Sequence, residues 1–284
     1  MAQRTDLRGV VTQPDRPGGR GHKLRPTPVK AAALELGIPV FEPASLRRFT
    51  EEHAGEAYDL FALASYGKIL PQAVLDMPKL GALNVHPSLL PKYRGATPIQ
   101  TALRAGEAET GVTIMLMDAG MDTGDIVLQE RTPIDADERY GELHDRLARF
   151  GAQALSHAVD LARSGYIPRT KQSGEPSVTR PIGKDDLMLE WSWPAARIVN
   201  LVRAYAPAPA ARATIAGVPV KILRTRQGAP TIAPLVPGEI IAASGDALTI
   251  RAGDGTVDVL EVVPPNRSAQ SGAAFAQTLR AKSQ

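Results

Sequence analysis

The sequence predicts an α/β protein: a doubly wound parallel sheet in its first part, followed by a small C-terminal β-barrel of OB-like type. Three observations predict this. Short apolar runs alternate with helical stretches as far as residue 163, the βα alternation that builds parallel sheets. A stretch rich in Pro, Gly, Ser and Thr then runs from Pro168 to Gly183. Beyond it, short strand-like segments follow at close spacing, punctuated by Gly217, Gly245 and Asp254-Gly255, as small antiparallel barrels require. The expected division is a catalytic domain over 1–167, a linker over 168–183 and a barrel over 184–284.

Each element has a local reason. Residues 8–12 end a short strand, and Gln13–Pro26 reads as a loop by its Pro and Gly content. Residues 28–36 read as a helix, with Pro28 at its first turn and Gly37 where a C-cap belongs. A short extended piece begins at Val40, and residues 45–53 form a second helix. Leu60–Ala64 is a continuous apolar run, expected of a strand covered on both faces. Residues 82–86 make another strand, 97–105 a helix, 111–117 an alternating strand, and 126–129 continue the sheet. A long amphipathic helix spans 139–163. In the last part, residues 191–206 include a helix, and strands are expected over 218–224, 238–243, 247–251 and 256–263.

Composition excludes whole classes of function. The 284 residues carry 43% hydrophobic and 22% charged side chains, an ordinary globular balance with room for two cores. Cysteine is absent, which removes disulfides, thiolate catalysis and Cys-ligated zinc. No apolar run approaches membrane-spanning length, and Met1–Asp6 lacks the apolar core of a signal peptide. A cytoplasmic location is therefore expected. The net charge of +3 comes entirely from Lys184–Gln284, where 11 Lys/Arg face 8 Asp/Glu. The first 183 residues balance, yet one loop concentrates Arg16, Arg20, Lys23, Arg25 and Lys30 against the single acid Asp15. That pattern suits a polyanionic partner and equally a solvated loop.

The chemistry concentrates in Asn84-Val85-His86-Pro87-Ser88-Leu89-Leu90-Pro91 and in Met121-Asp122-Thr123-Gly124-Asp125. Side chains two apart on a strand share one face, so Asn84 and His86 project to the same side. A carboxylate brought in from the Asp122 loop completes a polar trio with no nucleophile of its own. Such a trio suits acyl transfer between two substrates: Asn84 donates to a developing oxyanion, and His86 donates or moves a proton. Asp122 orients the imidazole and favours its charged form. Each residue alone has a plainer reading. His86 is then a satisfied strand-end histidine, Asn84 a turn-capping amide, and Asp122 the start of an Asx-turn. No His or carboxylate cluster offers a metal site.

With these motifs placed, the chain resembles the folate-dependent formyltransferases, and within them their tRNA-directed branch. Asn84–Pro91, Arg94-Gly95-Ala96-Thr97-Pro98-Ile99-Gln100 and Met117–Gly124 are similar to that family's catalytic core. The loop Gln13–Lys30 is similar to the one used on initiator tRNA. The resemblance runs from about residue 8 to the C-terminus and weakens after Ala210. It implies transfer of the formyl group of 10-formyltetrahydrofolate to the α-amino group of methionine carried by initiator tRNA, with no metal, by a monomer away from membranes. Ser88, Leu89, Leu90 and Pro91 would line the folate site, with Tyr66, Gly67 and Ile69 as the opposite wall. Arg16, Arg20, Lys23 and Arg25, together with Lys221 and Arg224, would meet the tRNA.

Two departures accompany the resemblance. The family begins with a hydrophobic strand, a Gly-Thr-Pro-type turn and a helix, and Met1–Leu7 is too short to supply them. Loss of an interior strand should leave two neighbours unpaired and a buried face open; either the true start lies upstream or stability is compromised. Second, Pro207-Ala208-Pro209-Ala210 carries Ala where the family often has Gly, without a nearby aromatic. The rival readings are a formyltransferase acting on a small amine such as an amino sugar, a formyl-folate hydrolase, and a non-catalytic RNA-binding relative.

Overall fold

The computed structural model describes residues 5–18, 23–230 and 236–282. They fall into two compact units: one from Met1–His86, Thr113–Gln129 and Gly151–Ser173, the other from Pro87–Val112, Glu130–Phe150 and Gly174–Gln284.

The chain begins with a short strand, β1 (Val10–Val11). The stretch after it, expected as a loop, folds into an antiparallel hairpin of β2 (Arg16–Gly18) and β3 (Lys23–Arg25), with Arg16 opposite Arg25. Its Pro and Gly content marks a reversal of direction and is blind to the backbone pairing across it. Helix α1 (Pro28–Glu35) starts where Thr27 Oγ1 accepts from Lys30 N at 3.2 Å, a side-chain N-cap. Strand β4 (Val40–Phe41) pairs in parallel with β1. Helix α2 (Leu46–Glu52) is capped by Ser45 and carries Arg47–Glu51 and Arg48–Glu52 ion pairs one turn apart.

Strand β5 (Phe61–Ala64), helix α3 (Gln72–Leu75) and strand β6 (Ala82–His86) follow, with β5 and β6 parallel. Leu70, Val74, Leu75 and Ala82 form a small core here. After β7 (Arg94–Gly95) and α4 (Pro98–Ala105) come two long strands, β8 (Glu109–Leu116) and β9 (Ile126–Pro133). The sheet order is β5-β6-β8-β9. The parallel core matches expectation, but β8 runs antiparallel to β6, a direction that alternation of apolar residues does not encode. Helix α5 (Tyr140–Arg163) is as long as its periodicity predicts, burying Leu155, Val159 and Ala162 in the first unit.

One expectation for β5 fails. Ala62 and Ala64 are exposed, although the continuous apolar run implied cover on both faces. The reason is a cleft of 1710 Å³, lined by Val10 and Val11 of β1, by Phe61, Ala62 and Leu63 of β5, and by Val159 of α5 among others. Strand β1 pairs only with β4 and β5 only with β6 among the described residues. Val10 N donates to Pro39 O and Thr12 N to Phe41 O, while Phe61 N donates to Gly81 O. Parallel pairing alternates donors between the two edges, so Val11 and Ala62 turn their amides to the cleft side.

The presumed linker is partly structured. Strand β10 (Val178–Thr179) pairs in parallel with β7, and Thr179 Oγ1 accepts from Thr97 N at 3.0 Å. Helix α6 (Ala195–Tyr205) begins where Asp254 Oδ1 accepts from Ala195 N at 2.7 Å. The antiparallel strands β11 (Ala211–Ile215), β12 (Val218–Pro230), β13 (Ile240–Ser244), β14 (Ala247–Arg251) and β15 (Gly255–Val263) follow, with β16 (Gln270–Ser271) and α7 (Gly272–Lys282) closing the chain. Their order is β11-β12-β15-β14-β13, with β16 on β15. No pairing among the described residues joins β11 to β13, so the small β domain is described as an antiparallel sheet. Ile198, Tyr205, Ile222, Leu248, Val259 and Phe275 belong to its core.

Candidate active site

Strand β6 carries Asn84 and His86 on one face, with β5 on one side and β8 on the other. His86 is 4% exposed and Asn84 half-buried. The backbone leaves β8 at Leu116 and returns at Asp125, where Leu116 N donates to Asp125 O at 2.9 Å. Asp122 sits in the intervening loop with φ of 54°, a left-handed conformation that Asp tolerates better than most residues. Its Oδ2 lies 3.5 Å from His86 Nδ1. The structure therefore brings imidazole and carboxylate together within one unit, and the other ring nitrogen, Nε2, is the one turned away from the carboxylate. A carboxylate beside Nδ1 orients the ring.

The loop is held at several points. Asp118 Oδ1 accepts from Gly120 N at 3.0 Å and from Thr123 Oγ1 at 2.7 Å, which gives that carboxylate a structural task. Gly124 is required by space: a Cβ there would fall 1.7 Å from Leu116 O. Gln172 Nε2 donates to Asp122 O and to Gly124 O, both at 2.8 Å. The sequence reading missed Gln172 because it lies 50 residues from Asp122 in a segment that looks like a linker. Its amide, in a polar stretch from Arg169 to Glu175, carries no local mark of that role.

The remaining predicted residues are placed as follows. In the first unit Tyr66 is half-buried, Gly67 exposed, and Ile69 92% exposed. Burial holds the Tyr66 phenol above its ordinary pKa. In the second unit Ser88 and Leu90 are buried, and Leu89 and Pro91 half-buried. Ser88 Oγ donates to Lys92 O at 2.6 Å, closing the loop on itself. Arg16 and Arg25 are exposed on their hairpin, and Lys221 and Arg224 on β12. Arg20 lies outside the described residues, as does the side chain of Lys23. Lys30, counted in the basic cluster, is engaged inward: its Nζ donates to Asp15 Oδ1 and Glu42 Oε2, each at 2.7 Å. Among the described residues no group of three or more His, Asp or Glu could hold a metal ion.

The chain thus holds an α/β domain that brings an imidazole and a carboxylate together on the strand that carries an amide, followed by a small antiparallel β domain. Residues 2–159 match the formyl transferase family, and residues 181–280 match the formyl transferase C-terminal domain. The chain belongs to that family. It is 44% identical over 268 residues to a methionyl-tRNA formyltransferase of Ectopseudomonas mendocina, covering 93% of this chain and 84% of the relative. It is also 44% identical over 275 residues to the enzyme so named in Bordetella pertussis, covering 92% and 88%. Among solved structures, an N-formyltransferase from Helicobacter canadensis, in complex with folinic acid and dTDP-3-aminofucose, aligns with a TM-score of 0.69 at 19% identity, over 91% of both chains. HypX from Aquifex aeolicus in complex with tetrahydrofolic acid aligns with a TM-score of 0.63 at 19% identity, over 86% of this chain and 43% of that one. These two structural likenesses concern the fold alone. No helix among the described residues is long and apolar enough to cross a membrane.

Proposed function

We propose that the chain transfers the formyl group of 10-formyltetrahydrofolate to the α-amino group of methionyl initiator tRNA, as a cytoplasmic monomer. The amine attacks the formyl carbon and the carbonyl oxygen becomes an oxyanion. That attack forms the new C–N bond, and collapse of the oxyanion then breaks the bond to the folate nitrogen. The amine loses one proton, and the departing folate nitrogen gains one. Asn84 Nδ2 and the His86 ring donate to the oxyanion, a contact typically worth about 2.7–4 kcal/mol per donor. Asp122 holds the ring and, through water, helps carry the amine's proton. Ser88, Leu89, Leu90 and Pro91 with Tyr66, Gly67 and Ile69 contact the folate. Arg16, Arg20, Lys23, Arg25, Lys221 and Arg224 meet tRNA phosphates and bases. The division into a catalytic part over 1–167, a connector over 168–183 and a tRNA-binding part over 184–284 belongs to the same reading, supported by family matches at 2–159 and 181–280.

The observation that carries this reading is the 3.5 Å approach of Asp122 to His86 beside Asn84, in a chain 44% identical to proteins named for this reaction. The exposed basic hairpin favours a polyanionic acceptor over a small amine. The test is a product assay with labelled formyl-folate and either methionyl-tRNA or a nucleotide-linked amino sugar. Label is expected on the methionyl-tRNA. Faster labelling of the amino sugar would establish the rival.

A further inference from the structure

We infer that Gln172 is a positioning residue for the Asp122 carboxylate, holding the loop that presents it to His86. The inference rests on the role proposed above for Asp122. A side-chain amide has two N–H donors, and the same nitrogen reaches two carbonyl oxygens, Asp122 O and Gly124 O, at 2.8 Å each. These carbonyls flank Thr123, so one amide fixes the peptide planes on both sides of the turn. Asp122 itself occupies the left-handed region, which an L-residue adopts at a cost relative to the right-handed form. A conformation of that cost persists only where its surroundings over-determine it.

Gln172 is anchored in turn. Two residues earlier, Thr170 exchanges both backbone hydrogen bonds with Ile126, N to O at 3.0 Å and O from N at 2.8 Å. Residues 170–172 therefore form a strap along 122–126, tied by backbone at one end and by the amide at the other. Asp118 braces the other side of the turn through Gly120 and Thr123. Those bonds reach Gly120 N and Thr123 Oγ1, while Gln172 holds the Asp122 carbonyl. Gln172 is half-buried, so its two hydrogen bonds are partly shielded from competing water.

The test is a double-mutant cycle on formyl transfer, with Gln172→Leu and Asp122→Asn made singly and together. Loss of the amide should lower kcat by about tenfold to a hundredfold, the scale of a misplaced catalytic group. The KM for formyl-folate should stay within about twofold. In the Asp122→Asn background, Gln172→Leu should cost nothing further, because its effect passes through that carboxylate. Gln172→Lys keeps a donor and should recover most of the activity; it also serves if the leucine variant does not fold. An undiminished kcat in Gln172→Leu, or losses that simply add to those of Asp122→Asn, would overturn the inference. Full activity in Asp122→Asn alone would instead remove the proposed role of Asp122, a separate outcome.

Discussion

His86 Nδ1 stands 3.5 Å from Asp122 Oδ2 although 36 positions separate the two residues in sequence, because β8 returns the chain to β6 before the loop begins. A pair assembled in this way is either part of the reaction or a local brace, and substitution separates the two. Asn84→Ala and His86→Ala are each expected to lower kcat by roughly 10²–10³, and Asp122→Asn by at least about 10². Affinity for tRNA should be unchanged in all three. Wild-type turnover in the three variants would end the assignment.

The Tyr93 hydroxyl donates to Glu107 Oε1 at 2.6 Å, and the two groups couple stability to pH at both extremes. Burial first, and then the bond to Glu107, raise the Tyr93 phenol above its ordinary pKa. That contribution is complete below pH 10 and disappears as pH climbs through the raised value. Glu107 is held below its ordinary pKa by the Tyr93 bond first, with Lys92 adding to it. Its contribution is present above about pH 4.5 and fades as pH falls through the lowered value. Tyr93→Phe should therefore flatten both limbs of a plot of melting temperature against pH. Some alkaline loss will persist, since burial pushes Tyr58 up to about 12.

The hairpin between β11 and β12 turns through Ala216 and Gly217, with φ of 47° and 76°. Positive φ at both central positions is the signature of a type I′ turn, which prefers Asn-Gly. The glycine fits and the exposed alanine does not. Ala216→Asn should stabilise the protein by about 1 kcal/mol, raising the melting temperature by roughly 2–4 °C for a domain of this size. A calorimetric scan showing no gain would mean that the turn relaxes in solution.

Hydrogen exchange should expose the cleft beside β5. The amides of Val10, Thr12 and Phe61 are bonded to carbonyls of neighbouring strands and should exchange slowly. Val11 and Ala62, on the opposite edges, should exchange faster by orders of magnitude. Equal protection on both edges would show that the cleft is covered in solution.

Features with a local cause were legible. Helix α1 could be read from Pro28 and Gly37, and strand β6 from its composition, because propensity and capping act within a few residues. The motif placed Asn84, His86 and Asp122 in one hypothesis. What escaped depends on partners far along the chain. Gln172 acts on carbonyls 48 and 50 positions away, and nothing near it announces that. The antiparallel course of β8 follows from how the chain re-enters the sheet. Exposure of Ala62 and Ala64 reflects what lies beside β5 and cannot be read from the run itself.

The clasp of Lys30 between Asp15 and Glu42 has an electrostatic consequence if the neighbouring hairpin meets a polyanion as proposed. An ammonium already neutralised by two carboxylates displaces no counterion from a phosphate. The logarithmic dependence of affinity on salt should then be shallower, by about one unit, than five free cations would produce. Releasing the clasp with Asp15→Asn and Glu42→Gln together would steepen it.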